Sequence, residues 1–269
     1  ALKVKDAIAD YFRQKTGKRP NVDTQSPEII IQVHISRNSC SLSIDSSGES
    51  LHKRGYRASQ GEAPLSEVLA AGLILLSGWD GKTDFIDPMC GSGTLPIEAT
   101  MIAQNIAPGR LRKGYAFMQW DNYNVDLFEK IKTEHKTRPF SKKIFASDIL
   151  RSNILIAEMN ARRARVFANI EFQTSDIKDL QIAANNATIM VNPPYGERLK
   201  HQNIHELYNR LGERMKHKLD GNTSWIFTSY KEYLKQVGLK AAKKTTLYNG
   251  ALECTFAKYP LFSGKFAQK

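Results

Sequence analysis

Hydrophobic positions near the start of the chain repeat first with a helical and then with a strand period. The apolar residues of segment 5–15 are spaced for one helix face. Two short runs rich in apolar and β-branched residues, 29–35 and 40–44, predict two strands. The polar, basic and glycine-containing stretch 46–61 is interpreted as a linker. We therefore expect a small α+β module with its linker over residues 1–60.

From residue 64 onward, strand-like and helical segments alternate. The predicted order is a helix at 65–76, a strand ending at 85–86, a helix at 95–104, a strand at 144–146, a helix at 153–165, strands at 170–173 and 188–191, a helix at 204–219, a strand at 225–228 and a short helix at 230–237. The continuous apolar run 188–191 is typical of a strand covered on both faces. This alternation predicts an α/β fold with a doubly wound parallel sheet over a second domain, residues 61–269.

The end of the chain departs from the alternation. Strand-like runs at 245–248 and 251–257 are separated by Asn249-Gly250. Asn-Gly is the preferred centre of a two-residue type I′ hairpin turn, so the sheet is expected to finish with an antiparallel hairpin. A second irregularity is the stretch 107–143, which is rich in Lys, Arg and aromatics and is interpreted as an insertion.

Net charge points to the class of partner. Lys and Arg number 39 against 27 Asp and Glu, which gives a formal charge of +12 in a chain of 269 residues. Such a balance favours a polyanionic partner without identifying it. Lys53, Arg54 and Arg57 in the linker, with Arg198 and Lys200 further on, are the candidate phosphate contacts as a set. Any one of them is more often a solvated surface charge.

Cysteine spacing and hydropathy exclude some classes of protein. Cys40, Cys90 and Cys254 form no CxxC pair and have no histidine at zinc spacing, so neither a disulfide framework nor a metal site is expected. No apolar run approaches the ~20 residues that span a bilayer, so no membrane partner is expected. The first residues lack the apolar core of a secretory signal, and we expect a cytoplasmic protein.

The turn between the first strand of the sheet and the next helix carries candidate cofactor chemistry. It reads Asp87-Pro88-Met89-Cys90-Gly91-Ser92-Gly93-Thr94. Glycines permit a tight turn and let a ligand approach the main chain, and an acid at a strand end can receive a ligand's ammonium group. No Gly-Lys-Ser/Thr follows, which excludes a Walker loop. The next acid at a strand end, Asp148, lies too far along the chain for a nicotinamide fingerprint, but it can bind ribose hydroxyls. Cys90 is expected to be a small packing residue and not a nucleophile.

A second turn, after the apolar strand 188–191, carries candidate catalytic chemistry. It reads Asn192-Pro193-Pro194-Tyr195-Gly196. The two prolines fix φ and hold the preceding residue extended, which makes a rigid platform. The Asn192 side-chain oxygen and the Pro193 carbonyl can accept the two N–H bonds of an exocyclic base amine, whose lone pair then points at a methyl donor. Tyr195 can stack on the base, which is worth ~1–3 kcal/mol. Correct positioning of two reactants can supply roughly 7–11 kcal/mol.

The two turns together resemble known motifs. The first resembles motif I of amino-methyltransferases, and both occur in DNA adenine-N6 and RNA guanine-N2 methyltransferases. Residues 48–57 with Ala63-Pro64-Leu65 resemble the junction between a THUMP domain and its catalytic domain. Over nearly its whole length, the chain resembles the bacterial 23S rRNA guanine-N2 methyltransferase family. Only the latter part of a THUMP domain is expected in the N-terminal module, and one methyltransferase activity is expected.

The resemblance implies a fold, a cofactor and a set of contacts. The implied fold is the class I methyltransferase seven-stranded sheet with an antiparallel C-terminal hairpin, and the implied cofactor is S-adenosyl-L-methionine. Asn192, Pro193, Pro194 and Tyr195 would engage the guanine amine. The residues implied in cofactor binding are Asp87, Pro88, Cys90, Gly91, Ser92, Gly93, Thr94, Asp148, Ile149, Asp176, Ile177 and Asn192. Of these, Asp176 would accept from the adenine amine and Ile177 would pack on the ring, although Asp148 and Asp176 are also candidate helix caps.

The family resemblance leaves three functions open. The first is a monomeric guanine-N2 methyltransferase acting on 23S rRNA or a pre-ribosomal particle. The second is a DNA adenine-N6 methyltransferase. The third is a catalytically silent RNA-binding or ribosome assembly factor, against which the intact turns argue. Tyr115, Phe117 and Trp120 in the insertion could stack on bases, but core packing is favoured.

Overall fold

The computed structural model describes residues 2–25, 27–57, 65–180, 186–194 and 201–262, without side chains at 201–203. The elements in chain order are α1 (Leu2–Thr16), β1 (Ile30–Ser36), β2 (Ser39–Asp45), α2 (Glu67–Ser77), β3 (Phe85–Asp87), α3 (Thr94–Ala103), α4 (Val125–Glu134), β4 (Ile144–Asp148), α5 (Arg151–Arg163), β5 (Ile170–Thr174), β6 (Thr188–Val191), α6 (His201–Lys218), β7 (Thr223–Thr228), β8 (Lys243–Asn249) and β9 (Leu252–Pro260). Short 3-10 helices occupy Ala116–Gln119, Phe167–Asn169, Ile177–Asp179 and Lys231–Val237. No helix within the described ranges has the length and apolar character needed to cross a bilayer.

The chain divides into two compact units, and one of them is assembled from distant segments. The first unit is Ala1–Leu51 with Arg112–Glu134, and the second is His52–Leu111 with His135–Lys269. Most of the predicted insertion therefore packs with the N-terminal residues. The predicted domain boundary near residue 60 stays a prediction.

The first unit contains the helices α1 and α4, a two-stranded sheet and an aromatic cluster. β1 and β2 pair antiparallel through a two-residue turn at Arg37 and Asn38, whose φ angles of 45° and 62° are those a type I′ hairpin needs. The backbone amide of Phe117 donates to the carbonyl of Ser46 at 3.1 Å, which ties the insertion to the residues after β2. The Tyr115 and Phe117 rings stack with centroids 5.2 Å apart, in agreement with the favoured packing role.

The second unit contains a seven-stranded sheet in the order β5-β4-β3-β6-β7-β9-β8. The first five strands are parallel, β9 is antiparallel to β7, and β8 is antiparallel to β9. This confirms the predicted doubly wound sheet with a C-terminal hairpin. The predicted turn was wrong by one residue: Asn249 pairs with Leu252, so the loop is Gly250-Ala251. Glycine at the first loop position, with φ +61°, is the pattern of a type II′ turn.

Each face of the sheet is covered by helices. One apolar cluster joins α2, α3 and α5 to the sheet through residues such as Leu73, Ile97 and Ile154. The other joins α6 to the opposite face, with Ile189 and Tyr208 fully buried. Burial of each such large side chain stabilises the fold by about 1.5–3 kcal/mol, and the two layers hold the strand ends in place.

Candidate active site

The described residues of the two predicted turns lie at the same edge of the sheet. β3 pairs in parallel with both β4 and β6, so the carboxyl ends of these strands meet there. Asp87 ends β3, Asp148 ends β4, and Asn192 directly follows β6. The strand order reverses between β3 and β6, and this switch point is where open α/β sheets bind ligands.

The turn at residues 87–94, which we call the glycine loop, packs against α5 on one side and is open on another. Gly93 has φ +83°, and a Cβ there would lie 2.9 Å from the Ala157 Cβ. Gly91 has φ +53°, and a Cβ there would meet nothing within 4 Å. Packing against α5 therefore requires glycine at position 93. Gly91 instead leaves space beside the main chain that a ligand can fill.

Asp148 is held by donors from the glycine loop and from the start of α5. Its Oδ2 accepts from the Gly91 amide at 3.0 Å, and its Oδ1 accepts from the Leu150 amide at 2.9 Å and from Asn153 Nδ2 at 3.0 Å. A carboxylate oxygen has two lone-pair directions, so this capping role leaves acceptor capacity for a hydroxyl. The capping interpretation and the ribose interpretation are thus compatible.

Asp87 is a buried acid beside another acid. Its Oδ1 accepts from the Met89 amide at 3.1 Å. Burial, and secondarily the charge of Asp148, raises the pKa of Asp87 well above its usual value. An ammonium group placed beside Asp87 would stabilise its charged form. Burial likewise raises the pKa of the neighbouring Cys90 thiol, which favours the packing role over a nucleophilic one.

Asn192 presents a buried acceptor without a partner. Among the described residues, its Oδ1 receives no hydrogen bond although it is closed off from solvent. Pro193 is buried and Pro194 is exposed. An unsatisfied buried amide oxygen costs about 1–3 kcal/mol, a cost that a ligand donor reaching it would offset. Tyr195, Arg198 and Lys200 lie outside the described residues.

The adenine-side predictions have different outcomes. Asp176 caps the 3-10 turn after β5, with its Oδ1 accepting from the Lys178 amide at 3.0 Å and its Oδ2 lying 3.8 Å from Arg210 Nη1. Ile177 is 4% exposed and packs in the α6-side core cluster, so its side chain offers almost no surface to a ring. This placement corrects the stacking expectation for Ile177. Ile149, next to Asp148, is 62% exposed and open to a ligand.

Two of the predicted phosphate contacts have internal partners. We call residues 52–57 the connector. Arg54 makes a buried ion pair with Glu98 at 3.4 Å, and Arg57 makes one with Glu67 at 2.6 Å. Guanidinium groups held in this way are not presented to a phosphate, which corrects the prediction for Arg54 and Arg57. Lys53 is exposed and keeps its predicted role as a prediction.

Sequence reasoning missed several residues that hold the glycine loop. Asn160, buried on α5, donates from Nδ2 to the Ser92 carbonyl at 2.9 Å. Asn153, Ala157 and Asn160 recur at helical spacing, so a polar pair on the inner face of a helix was the available signal. Arg57, which donates to the side-chain oxygens of Ser92 and Thr94, had no comparable local signal.

The site has the groups that S-adenosyl-L-methionine requires. The open side of Gly91 can receive the main body of the ligand, Asp87 its ammonium and Asp148 its ribose hydroxyls. The N-terminus of α3 at Thr94 favours a carboxylate. In the described parts of the chain, no three His, Cys, Asp or Glu side chains converge as metal ligands would.

The chain is similar to known methyltransferases in sequence and in fold. Residues 54–258 match UPF0020, the RMKL-like methyltransferase domain, and residues 1–45 match the THUMP domain. A candidate RNA methyltransferase of Synechocystis is 36% identical over 266 residues, which are 97% of this chain and 69% of that protein. The crystal structure of SMU.472, a candidate methyltransferase in complex with SAH (S-adenosylhomocysteine), has a TM-score of 0.85 at 32% identity and covers 97% of this chain and 70% of its own. A Listeria monocytogenes structure, described as a predicted N6-adenine-specific DNA methylase, has a TM-score of 0.83 at 34% identity, over 95% and 67% of the two chains.

Proposed function

This chain belongs to the UPF0020 family of RMKL-like methyltransferase domains, preceded by a THUMP domain, and on that premise we propose that it methylates the exocyclic N2 amine of a guanine in 23S rRNA. Its cofactor is S-adenosyl-L-methionine. The proposed substrate is the rRNA or a pre-ribosomal particle, and the proposed setting is rRNA processing in the cytoplasm by a monomer.

The unpartnered Oδ1 of Asn192 carries the proposal. Asn192 stands at the end of β6 next to the glycine loop at the end of β3, so an amine that donates to it lies beside the cofactor site. The amide oxygen accepts one N–H and the Pro193 carbonyl accepts the other. This pair of acceptors favours a pyramidal nitrogen whose lone pair points away from the ring.

The remaining residues bind and orient, and no tuned general base is required. The cofactor supplies an activated methyl group on a sulfonium. Asp87 and Asp148 would hold its ammonium and ribose, and Gly91 would leave space for it. The prolines hold Asn192 in one extended geometry, so the acceptor pair is ordered before the base arrives. A base within a helix must leave its stack to reach this place, and Tyr195 is proposed to stack on it.

RNA is favoured over DNA because of the first unit. The THUMP match covers residues 1–45, and the Synechocystis relative carries an RNA methyltransferase description. The second candidate is a DNA adenine-N6 methyltransferase, which is favoured by the description of the Listeria structure. Both bases present an exocyclic amine, so the acceptor pair alone does not separate them.

Nucleoside mass spectrometry tests the proposal. The protein is incubated with S-adenosyl-L-methionine and, separately, with unmodified 23S rRNA, immature large-subunit particles and unmethylated DNA. We expect N2-methylguanosine in at least one RNA sample and no methylated adenine in DNA. An Asn192→Ala protein on the same substrates is the matched control.

Two results would contradict the proposal. N6-methyladenine in DNA without N2-methylguanosine in RNA would establish the second candidate. Tight SAH binding without methylation of any of these substrates would favour the catalytically silent factor.

A further inference from the structure

Arg57 donates hydrogen bonds to two residues of the glycine loop, Ser92 and Thr94. Its Nη1 donates to Ser92 Oγ at 3.3 Å, and its Nη2 donates to Thr94 Oγ1 at 3.0 Å. The two acceptors flank Gly93, where the backbone has a positive φ. Because a guanidinium is planar and rigid, these two bonds fix the spacing of the loop on either side of that glycine.

Arg57 is itself held by groups at the start of α2. Its Nε donates to Glu67 Oε1 at 2.6 Å, and its Nη2 also donates to the Leu65 carbonyl at 2.7 Å. The side chain of Glu67 is 3% exposed and that of Arg57 is 18% exposed. α2 begins firmly, because Ser66 caps it by accepting from the Leu69 amide at 3.2 Å. Arg57 therefore connects the glycine loop to the start of α2, which is itself fixed by its cap.

The glycine loop is also held by residues of other elements. Asp148 binds the Gly91 amide and Asn160 binds the Ser92 carbonyl, at 3.0 and 2.9 Å. The loop is thus bonded both to residues of β4 and α5 and to Arg57. We infer that Arg57 is a positioning residue that keeps the glycine loop in its cofactor-binding conformation. This inference goes beyond the proposed function, since it concerns cofactor affinity and requires nothing of the methyl acceptor.

The test removes the bridge without leaving a buried charge. Arg57→Met combined with Glu67→Gln deletes both members of the ion pair, because loss of one partner alone would leave the other charge uncompensated. We expect the dissociation constant for SAH, measured by calorimetry, to rise roughly 5- to 150-fold, the effect of two lost hydrogen bonds. Hydrogen exchange over residues 87–94 should accelerate in the ligand-free protein. The KM for S-adenosyl-L-methionine should rise, while the KM for the nucleic acid stays within about twofold.

The matched control is the other buried pair of the connector. Arg54→Met with Glu98→Gln makes the same chemical change one helical turn beyond Thr94. We expect it to alter the unfolding midpoint but to leave the SAH dissociation constant within about twofold. Arg57→Lys keeps the charge but cannot bridge Ser92, Thr94 and Glu67, so it should weaken SAH binding as well.

Three outcomes would overturn the inference. They are unchanged SAH affinity in the folded Arg57→Met, Glu67→Gln protein, an equal loss in the Arg54 pair, or full affinity in Arg57→Lys. Each of these three outcomes is a measurement of SAH binding and, unlike the KM values, does not depend on methyl transfer. Failure of the proposed function, seen as absence of N2-methylguanosine, is therefore distinguishable from failure of this inference.

Discussion

At the scale of single residues, the unsatisfied side chain of Asn192 lowers the stability of the ligand-free protein, and its proposed role in binding the base amine explains why it is there. Its buried Oδ1 has no partner among the described residues. Asn192→Ala should therefore leave the free energy of unfolding unchanged or raise it by about 1–2 kcal/mol. The same variant should lower kcat roughly 10²–10³-fold, because the amine loses a positioned acceptor. Denaturant unfolding and single-turnover methylation measure the two effects.

Asn160→Ala is the matched control for this prediction. Asn160 is buried on α5, and its side-chain donor is used by the Ser92 carbonyl. Its removal should lower the free energy of unfolding by about 1–3 kcal/mol. If Asn192→Ala destabilised the protein as much as Asn160→Ala does, the Asn192 amide would have a structural role and not the proposed one.

Asp87 leads to a prediction about proton uptake. Burial raises the pKa of Asp87 in the folded protein, so the folded state binds more protons than the unfolded state above the usual carboxyl pKa of ~4. Stability should therefore fall as pH rises through that window. Binding of an ammonium group beside Asp87 favours its charged form, so SAH binding should release a proton. Calorimetry in buffers of different ionisation enthalpy measures this release.

Asp87→Asn tests the assignment of that proton. The variant should bind SAH more weakly and release no proton in the same pH range, and its stability should depend less on pH. Proton release that persists in Asp87→Asn would assign the titration to another group.

The placement of candidate site residues could be predicted from sequence where the signal was local. Asp87, Asp148 and Asn192 each end or follow an apolar strand, and parallel pairing then brings strand ends to one edge. Arg57 could not be assigned in this way. Its acceptors Glu67, Ser92 and Thr94 lie 10 to 37 positions along the chain, and an arginine in a basic segment fits an RNA contact equally well.

At the scale of elements, the approach of α5 to the glycine loop sets a different demand on each loop glycine. A Cβ at Gly93 would meet the Ala157 Cβ at 2.9 Å, and φ is +83°. Gly93→Ala should combine overpacking and left-handed strain and lower the free energy of unfolding by about 2–4 kcal/mol. Gly91→Ala carries only the strain of φ +53°, about 1–2 kcal/mol, but fills the open side. Thermal unfolding should rank the two variants in that order.

Cofactor binding should separate the same two variants in a second way. In Gly91→Ala the new methyl group occupies the space proposed for the ligand. The variant should therefore lose more free energy of SAH binding than free energy of unfolding. A Gly91→Ala protein that binds SAH as tightly as the unchanged chain would show that the ligand lies elsewhere.

Element order was predictable because the hydrophobic period switches between 2 and 3.6 at each boundary. Turn register was less predictable. The β8–β9 loop is Gly250-Ala251, since Asn249 is used in the last ladder pair, and the preference of Asn-Gly for loop centres was overridden by strand pairing. The β1–β2 turn was missed because Arg37 adopts a positive φ that its residue type rarely adopts.

At the scale of the whole molecule, the composition of the units depends on contacts that no periodic pattern reveals. Segment 112–134 interrupts the sequence of the second unit but packs with the N-terminal residues. There the backbone carbonyls of Ser46 and Ser47 accept from the amides of Phe117 and Ala116. The first unit therefore consists of a THUMP match plus a segment drawn from within the methyltransferase match. Sequence distance hides this union, although the aromatic content of the insertion indicated a packed structure.

The net charge of +12 makes nucleic-acid binding by the whole chain sensitive to salt. Each phosphate contact to a single strand lowers the logarithm of affinity by about 0.7 per logarithm of salt concentration, so four contacts predict a roughly 50-fold loss over a fourfold rise in salt. Fluorescence anisotropy with labelled rRNA fragments measures the slope. Lys53→Ala should reduce the slope by no more than about 0.7, the value of one phosphate contact. Asn192→Ala should leave the slope unchanged, because Asn192 is assigned to the base and not to a phosphate. A flat salt dependence would mean that the excess positive charge is not directed at the nucleic acid. If Asn192→Ala changed the slope as strongly as Lys53→Ala does, Asn192 would contribute to phosphate binding. That result would contradict the proposed function, which assigns Asn192 to the base amine and leaves RNA capture to the charged residues.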